Sequence, residues 1–230
     1  MSGTVSVAGA LPGRLVALPS VYRPQADTRL LAAALAREEV GCLTEVLEIG
    51  TGTGTGALAL HAARRGAAVT AVDVSWPAVA AARVNALLHR VPLRVLHGDF
   101  AARTRGRRFD LVVTNPPYVP APGVRPPSRG AERAWDAGPD GRLVIDRVCA
   151  AAAGLLRPGG VLLMVHSGLC GARATVERLA GEGLSAGVTA RAWVPWGPVL
   201  RSRRAWLERR GLAAPDEQRE ELVVIRARNP

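Results

Sequence analysis

The stretch Thr44-Glu45-Val46-Leu47-Glu48-Ile49-Gly50-Thr51-Gly52-Thr53-Gly54-Thr55-Gly56 decides how this chain folds. Its apolar opening, residues 44–49, reads as a buried strand. Glycine then occupies every second position, where a backbone can turn sharply and approach a ligand closely. Residues 57–65 follow as a helix that offers unpaired N–H groups at its start. Taken alone, such a turn could serve dinucleotides, nucleotides or S-adenosylmethionine. A Walker-type phosphate loop is excluded, because that motif needs a lysine and all 30 basic residues here are arginine.

The same alternation continues outward. Residues 67–72 form a second strand ending in Asp73, and residues 77–88 an alanine-rich helix with Pro77 near its first turn, where proline is tolerated. Residues 93–97 are a third strand closed by Gly98-Asp99-Phe100, and residues 109–114 a fourth that runs into Asn115-Pro116-Pro117-Tyr118. Later strands are expected over 161–165, 186–194 and 221–227, with helices over 142–156 and 172–180. Before the first strand, residues 29–40 read as a helix capped by Asp27 or Thr28 and ended by Gly41. Strands alternating with helices predict an α/β fold, a doubly wound parallel sheet with right-handed crossovers.

Glu48, Asp73, Asp99 and Asn115 fall at the carboxyl ends of four successive strands, which is where open α/β sheets bind ligands. One acid at a strand end is an ordinary turn residue. Three acids and an asparagine on one sheet edge make a coherent site. Asn115-Pro116-Pro117-Tyr118 is a stiff loop, since the prolines fix φ and remove backbone donors. It presents an amide, a proline carbonyl and a flat ring, a set suited to holding a planar NH2 group. By itself the tetrapeptide reads equally well as a plain strand exit.

Composition bounds the rest. A chain of 230 residues with 48% hydrophobic content suits one globular domain, residues 21–230, behind a flexible lead-in over 1–20. Cys42, Cys149 and Cys170 show no paired spacing, so neither a zinc site nor a disulfide framework is expected, in keeping with a reducing cytoplasm. No signal peptide or membrane-spanning run is read. The net charge of +11 raises the question of an acidic partner such as nucleic acid, although a basic surface built only from arginine also fits genome composition. The Pro, Gly and Arg content of residues 119–141 marks a mobile substrate-side loop. An arginine-dense segment over 199–212 reads as a solvated, helix-like insertion.

Glu48-x-Gly50-x-Gly52-x-Gly54, Asp73, Asp99-Phe100 and Asn115-Pro116-Pro117-Tyr118 together resemble the ordered motifs of class I S-adenosylmethionine (SAM)-dependent methyltransferases. More narrowly, the chain resembles compact HemK-type protein-glutamine methyltransferases, and the match extends through Ala134-Trp135-Asp136-Ala137-Gly138-Pro139-Asp140-Gly141. Family members usually carry acids in the lead-in, whereas Arg23 and Ala26 depart from that pattern. The resemblance implies a mostly parallel seven-stranded sheet with an antiparallel final strand. It also implies SAM as cofactor, held by Asp27, Thr28, Glu48, Gly50, Thr51, Gly52, Gly54, Asp73, Val74, Gly98, Asp99, Phe100 and Asn115. Within that set Asp73 would take the ribose hydroxyls, Asp99 the adenine amino group with Phe100 on the base, and Asp27 or Thr28 the methionine end. Asn115, Pro116, Pro117 and Tyr118 would hold the methyl acceptor, no metal being involved. The implied acceptor is a glutamine of a protein such as a release factor, with a small activating subunit as a further partner. Adenine amino groups of nucleic acid and small-molecule amines remain alternatives, as does a dinucleotide-dependent oxidoreductase built on Gly52-x-Gly54-x-x-Ala57.

Overall fold

A seven-stranded sheet in the order β3-β2-β1-β4-β5-β7-β6 organises the molecule. The computed structural model describes residues 11–18, 23–51, 55–125, 127 and 130–230. In chain order the elements are α1 (Ala26–Leu35), β1 (Glu45–Ile49), α2 (Ala57–Arg64), β2 (Ala68–Asp73), α3 (Trp76–Leu88), β3 (Arg94–His97), α4 (Phe100–Arg103) and β4 (Phe109–Thr114). They continue with α5 (Leu143–Leu155), β5 (Leu156–Ser167), α6 (Ala172–Gly181), β6 (Ser185–Pro195), α7 (Pro198–Ser202), α8 (Arg204–Arg209) and β7 (Arg219–Arg228). Pairing is parallel from β3 through β5, and β7 is antiparallel to both β5 and β6. The reversed strand thus lies between two others, and the sheet edges are β3 and β6.

Period-two alternation sends successive side chains to opposite faces, each covered by helices. Leu111, Val113, Leu163 and Val165 pack with Leu31 and Leu35 of α1 and Leu58 of α2. Val112, Leu162 and Met164 pack with Ile145 and Val148 of α5 and Leu179 of α6. Burial on both faces is why the central strands read as continuous apolar runs.

Several boundaries differ from the sequence expectation. Gln25, not Asp27 or Thr28, holds the N-cap position of α1, and the helix takes Asp27 and Thr28 into its first turn, both buried. One Asp27 oxygen bonds back to Thr28 of its own helix, and the other is drawn toward the fourth strand end. The turn at Arg157-Pro158-Gly159-Gly160 lies within β5, where the register against β4 shifts between Phe109 and Leu111. A Cβ on Gly160 would lie 3.0 Å from the Phe109 carbonyl oxygen, so the bulge needs glycine there. The single-turn helix α4 was not expected, and it forms because Asp99 caps it by accepting from Ala101 N at 3.1 Å and Ala102 N at 3.4 Å.

Part of the lead-in is docked. Val16 N donates to Asn85 Oδ1 and Asn85 Nδ2 to the Val16 carbonyl, both at 2.8 Å, while the same Nδ2 reaches the Thr55 carbonyl at 3.1 Å. The fully buried Asn85 of α3 thereby ties residues 11–18 to the end of the glycine turn. The loop after Tyr118 folds back on itself. Val119 N donates to the Trp135 carbonyl at 2.7 Å, Ala137 N to Val119 at 3.1 Å and Ala121 N to Gly138 at 2.8 Å. Residues 199–212, expected as a solvated segment, form α7 and α8, with Leu200 and Leu207 buried beneath Trp196.

Candidate active site

β4 delivers Asn115, 2% exposed, to the sheet edge beside the first turn of α1. Asn115 Nδ2 donates to Asp27 Oδ2 at 3.0 Å, and Tyr118 Oη donates to the same oxygen at 3.1 Å. The other Asp27 oxygen accepts from Thr28 N at 2.6 Å and Thr28 Oγ1 at 3.2 Å. A carboxylate only accepts, so the Asn115 amide must turn its nitrogen toward Asp27, and Oδ1 is the atom left to offer an incoming donor. Tyr118 is fixed from its other end as well, its carbonyl accepting from Cys170 Sγ at 3.0 Å.

Two cavities flank this loop. One of about 290 Å³ is walled by Gly50, Asp73, Val74, Gly98, Asp99, Phe100, Pro117 and Arg147. The other, about 400 Å³, is walled by Asp27, Pro116, Tyr118, Trp135, Val194, Leu200 and Glu220. Asn115 and Ala134 line both. The structure therefore gathers Gly50, Asp73, Val74, Gly98, Asp99, Phe100 and Asn115 around the smaller cavity. It puts Asp27 on the larger one, although the sequence reading gave it to the cofactor's methionine end. Thr28, Glu48 and Thr51 are buried and line neither cavity. Gly52 and Gly54 lie outside the described residues.

The acids differ in state. Glu48 is 1% exposed, and burial, reinforced by nearby Asp73, pushes its carboxyl up to about 8. The Thr51 hydroxyl and the Ala59 backbone N–H beside it oppose the shift without reaching hydrogen-bond geometry, so that neither Glu48 oxygen has a hydrogen-bond partner among the described residues. Asp73 Oδ1 accepts from Ser75 N at 2.6 Å. Burial raises Asp99, but the hydrogen bond and charge of Arg147, with the N–H groups of Ala102 and Ala101, outweigh it and hold Asp99 below the usual carboxylate range. Arg147 Nη2 lies 2.6 Å from Asp99 Oδ2, with its guanidinium carbon 5.5 Å from the centre of the Phe100 ring.

This edge fits SAM on the chemistry of its donors. An acid with unpartnered oxygens sits at the foot of the glycine turn, a second faces the smaller cavity where a diol would lie, and a third stands beside an aromatic ring. Sequence reasoning missed Arg147, Ser75 and Arg133, whose Nη2 reaches the Val74 carbonyl at 3.3 Å. It also missed Glu220. Because β7 is reversed, its amino end meets the carboxyl ends of the other strands, and strand polarity is invisible in a local pattern.

A family model described as "Methyltransferase small domain" matches residues 14–125. A Methanocaldococcus jannaschii protein assigned as a protein N5-glutamine methyltransferase is 34% identical over 183 residues, covering 79% of this chain and 90% of that one. The release factor glutamine methyltransferase of Moorella thermoacetica is 39% identical over 153 residues, covering 64% of this chain and 54% of its own length. The chain thus spans about half the length of that relative and of its Deinococcus radiodurans counterpart, where the covered share is 52%. Among solved structures, the E. cuniculi Mtq2-Trm112 complex, responsible for methylation of the eRF1 translation termination factor, superposes with a TM-score of 0.60 at 22% identity, over 92% of this chain and 99% of that one. A T. thermophilus 16S rRNA N2 methyltransferase held with AdoMet and guanosine gives the same TM-score at 23% identity, over 90% of this chain and 44% of that one. At such identities these two likenesses establish the class I methyltransferase fold.

Proposed function

The chain belongs to the protein N5-glutamine methyltransferase family of SAM-dependent enzymes, and from there we propose that it methylates the side-chain amide of a glutamine in a translation release factor. The observation that carries this reading is the shared wall: Asn115 lines both cavities, so a group held by its amide lies against the mouth of the cofactor cavity.

In this reading Asp73 takes the ribose hydroxyls, Asp99 and Phe100 hold the adenine with Val74 and Gly98, and Gly50 and Thr51 lie beneath the methionine portion. Glu48 receives the amino end of that portion; a cationic group there would compensate its unpartnered carboxyl. Held there, SAM would supply an electrophilic sulfonium methyl.

The chain's own residues orient the acceptor. An amide nitrogen is a weak nucleophile because its lone pair is delocalised into the carbonyl. Asn115 Oδ1 and the Pro116 carbonyl accept its two N–H bonds, which aims the face of the nitrogen at the cofactor cavity. Positive charge developing on the amide nitrogen during transfer would be favoured by the Asp27 carboxylate behind Asn115 and Tyr118. The nitrogen would lose one proton to solvent only after the methyl is bound, so no base is required before transfer. Trp135 and Ala134 line the cavity beside these groups.

The test is transfer of labelled methyl from SAM to purified release factor, with the modified residue located by mass spectrometry. Labelling of a glutamine that is lost in Asn115→Ala is the expected result. Labelling of DNA or RNA in its place would move the acceptor to an adenine amino group. Because the E. cuniculi neighbour is a two-protein assembly, the assay is run with and without cell extract, and an extract-dependent rise would reveal a small activating subunit.

A further inference from the structure

We propose that Glu220 is a substrate-binding residue which accepts a hydrogen bond from a backbone N–H next to the acceptor glutamine, and thereby disfavours acidic neighbours. The inference rests on the function proposed above and adds a specificity element to it.

The larger cavity is acidic in a basic protein. The chain carries 30 arginines and a net charge of +11, yet among the described residues no arginine lines that cavity, whereas Asp27 and Glu220 do. Asp27 is committed, one oxygen to Thr28 and the other to Asn115 and Tyr118. Glu220 is only partly engaged, by the Ser167 side chain. It is 8% exposed, and its Oε2 is enclosed without a hydrogen-bond partner among the described residues. A buried carboxyl left in that condition is costly unless a ligand supplies the donor.

Beyond the Ser167 hydroxyl, the surroundings leave further donors to the ligand. Asp27 faces Glu220 from α1 and Ser167 from β5. Tyr118 shares the cavity, and Arg191 of β6 is engaged with the neighbouring Glu221 at 2.7 Å. Burial and the Asp27 charge push Glu220 up to about 7 against the pull of Ser167. Since Asn115 Oδ1 and the Pro116 carbonyl take both hydrogens of the acceptor amide, the next donor along a bound peptide is the backbone N–H of the flanking residue. An acidic side chain there would add a third negative charge to the cavity.

Steady-state methylation of glutamine peptides decides the matter, using a parent peptide, versions with the amide on either side of the glutamine replaced by an ester, and versions with a flanking aspartate. The unaltered enzyme should show a KM about tenfold higher for one ester and for the aspartate peptide on the same side. Glu220→Leu should raise KM for the parent about tenfold and lose discrimination against the ester. Glu220→Gln, which keeps a carbonyl acceptor, should restore much of the affinity and tolerate the aspartate. Peptide binding to the S-adenosylhomocysteine complex near pH 7 should release protons from the unaltered enzyme but not from Glu220→Gln, since a donor favours the charged form. Binding of S-adenosylhomocysteine by each variant reports folding, and if Glu220→Leu fails that control Glu220→Gln decides alone. Unchanged KM, unchanged ester discrimination or equal proton release would overturn the assignment. If the unaltered enzyme methylates neither peptide nor release factor, the proposed function itself falls, and this assignment with it.

Discussion

Asp27 and Asn115, 88 residues apart in sequence, are joined by a 3.0 Å hydrogen bond that determines which end of the Asn115 amide an acceptor meets. In Asp27→Asn that constraint disappears, because an asparagine can donate as well as accept. The Asn115 amide is then able to rotate and present N–H groups to the N–H groups of the acceptor. The expected outcome is a fall in kcat of about 100-fold, comparable with the loss of one oriented transition-state contact. S-adenosylhomocysteine affinity, read by calorimetry, should change little, because Asp27 lines the other cavity.

Glu48 makes the ligand-free protein sensitive to alkaline pH. Its native carboxyl titrates near 8 against 4.5 for the ordinary group. Between those values the native state holds a proton that the unfolded state has released, so its contribution to stability falls as pH rises through that window and levels off above it. Glu48→Gln removes the penalty. Thermal melts without cofactor should show the two proteins alike near pH 4.5 and the variant progressively more stable toward pH 8, while the variant binds S-adenosylhomocysteine more weakly.

Arg203 and Asp136 form an ion pair at 2.6 Å with side chains only 18% and 14% exposed, and Arg203 Nη1 also donates to the Pro120 carbonyl at 3.0 Å. The pair links the α7–α8 segment, whose Leu200 walls the larger cavity, to the loop whose Asp136 walls the smaller. Arg203→Ala should cost about 2 kcal/mol in denaturant unfolding, short of a fully buried pair because both groups keep some solvent. Amide exchange at Val119 and Ala137 should quicken, with the sheet unaffected.

Gly141 has φ +72° and stands where a Cβ would strike the Tyr118 carbonyl oxygen and lie 2.8 Å from Cys170 Sγ. Gly141→Ala combines a strained backbone with displacement of the acceptor loop, so a loss of about 2 kcal/mol in stability is expected. Activity measured well below the melting temperature should also fall, through Tyr118, which a purely global destabilisation would not cause.

The fold was legible where burial imposes one period. The central strands are covered on both faces and therefore show as unbroken apolar runs, and the glycine turn after β1 declares the first crossover. The reach of α4 and of the bulge in β5 was less legible, because one depends on a side-chain cap by Asp99 and the other on contact with the Phe109 carbonyl from a separate strand. The arginines over 199–212 were read as one solvated face. In the structure Arg203 and Arg204 are engaged with Asp136, Glu208 and Asp216, while Arg201, Arg209 and Arg210 are exposed.

By itself the sequence determined that Glu48, Asp73, Asp99 and Asn115 share a sheet edge, since each lies within two residues of the carboxyl end of a strand in a parallel unit and chain direction alone puts those ends together. Only the tertiary structure decided that Asp27 bonds Asn115 and Tyr118 and that Glu220 lines the same cavity. The first depends on how α1 packs against β5 and its neighbours, and the second on the reversal of β7 between β5 and β6. Both are contacts between distant segments, which no local pattern encodes. The physical difference is that local order follows from backbone geometry and burial, whereas the acceptor cavity exists only after loop closure has brought remote side chains within hydrogen-bond range.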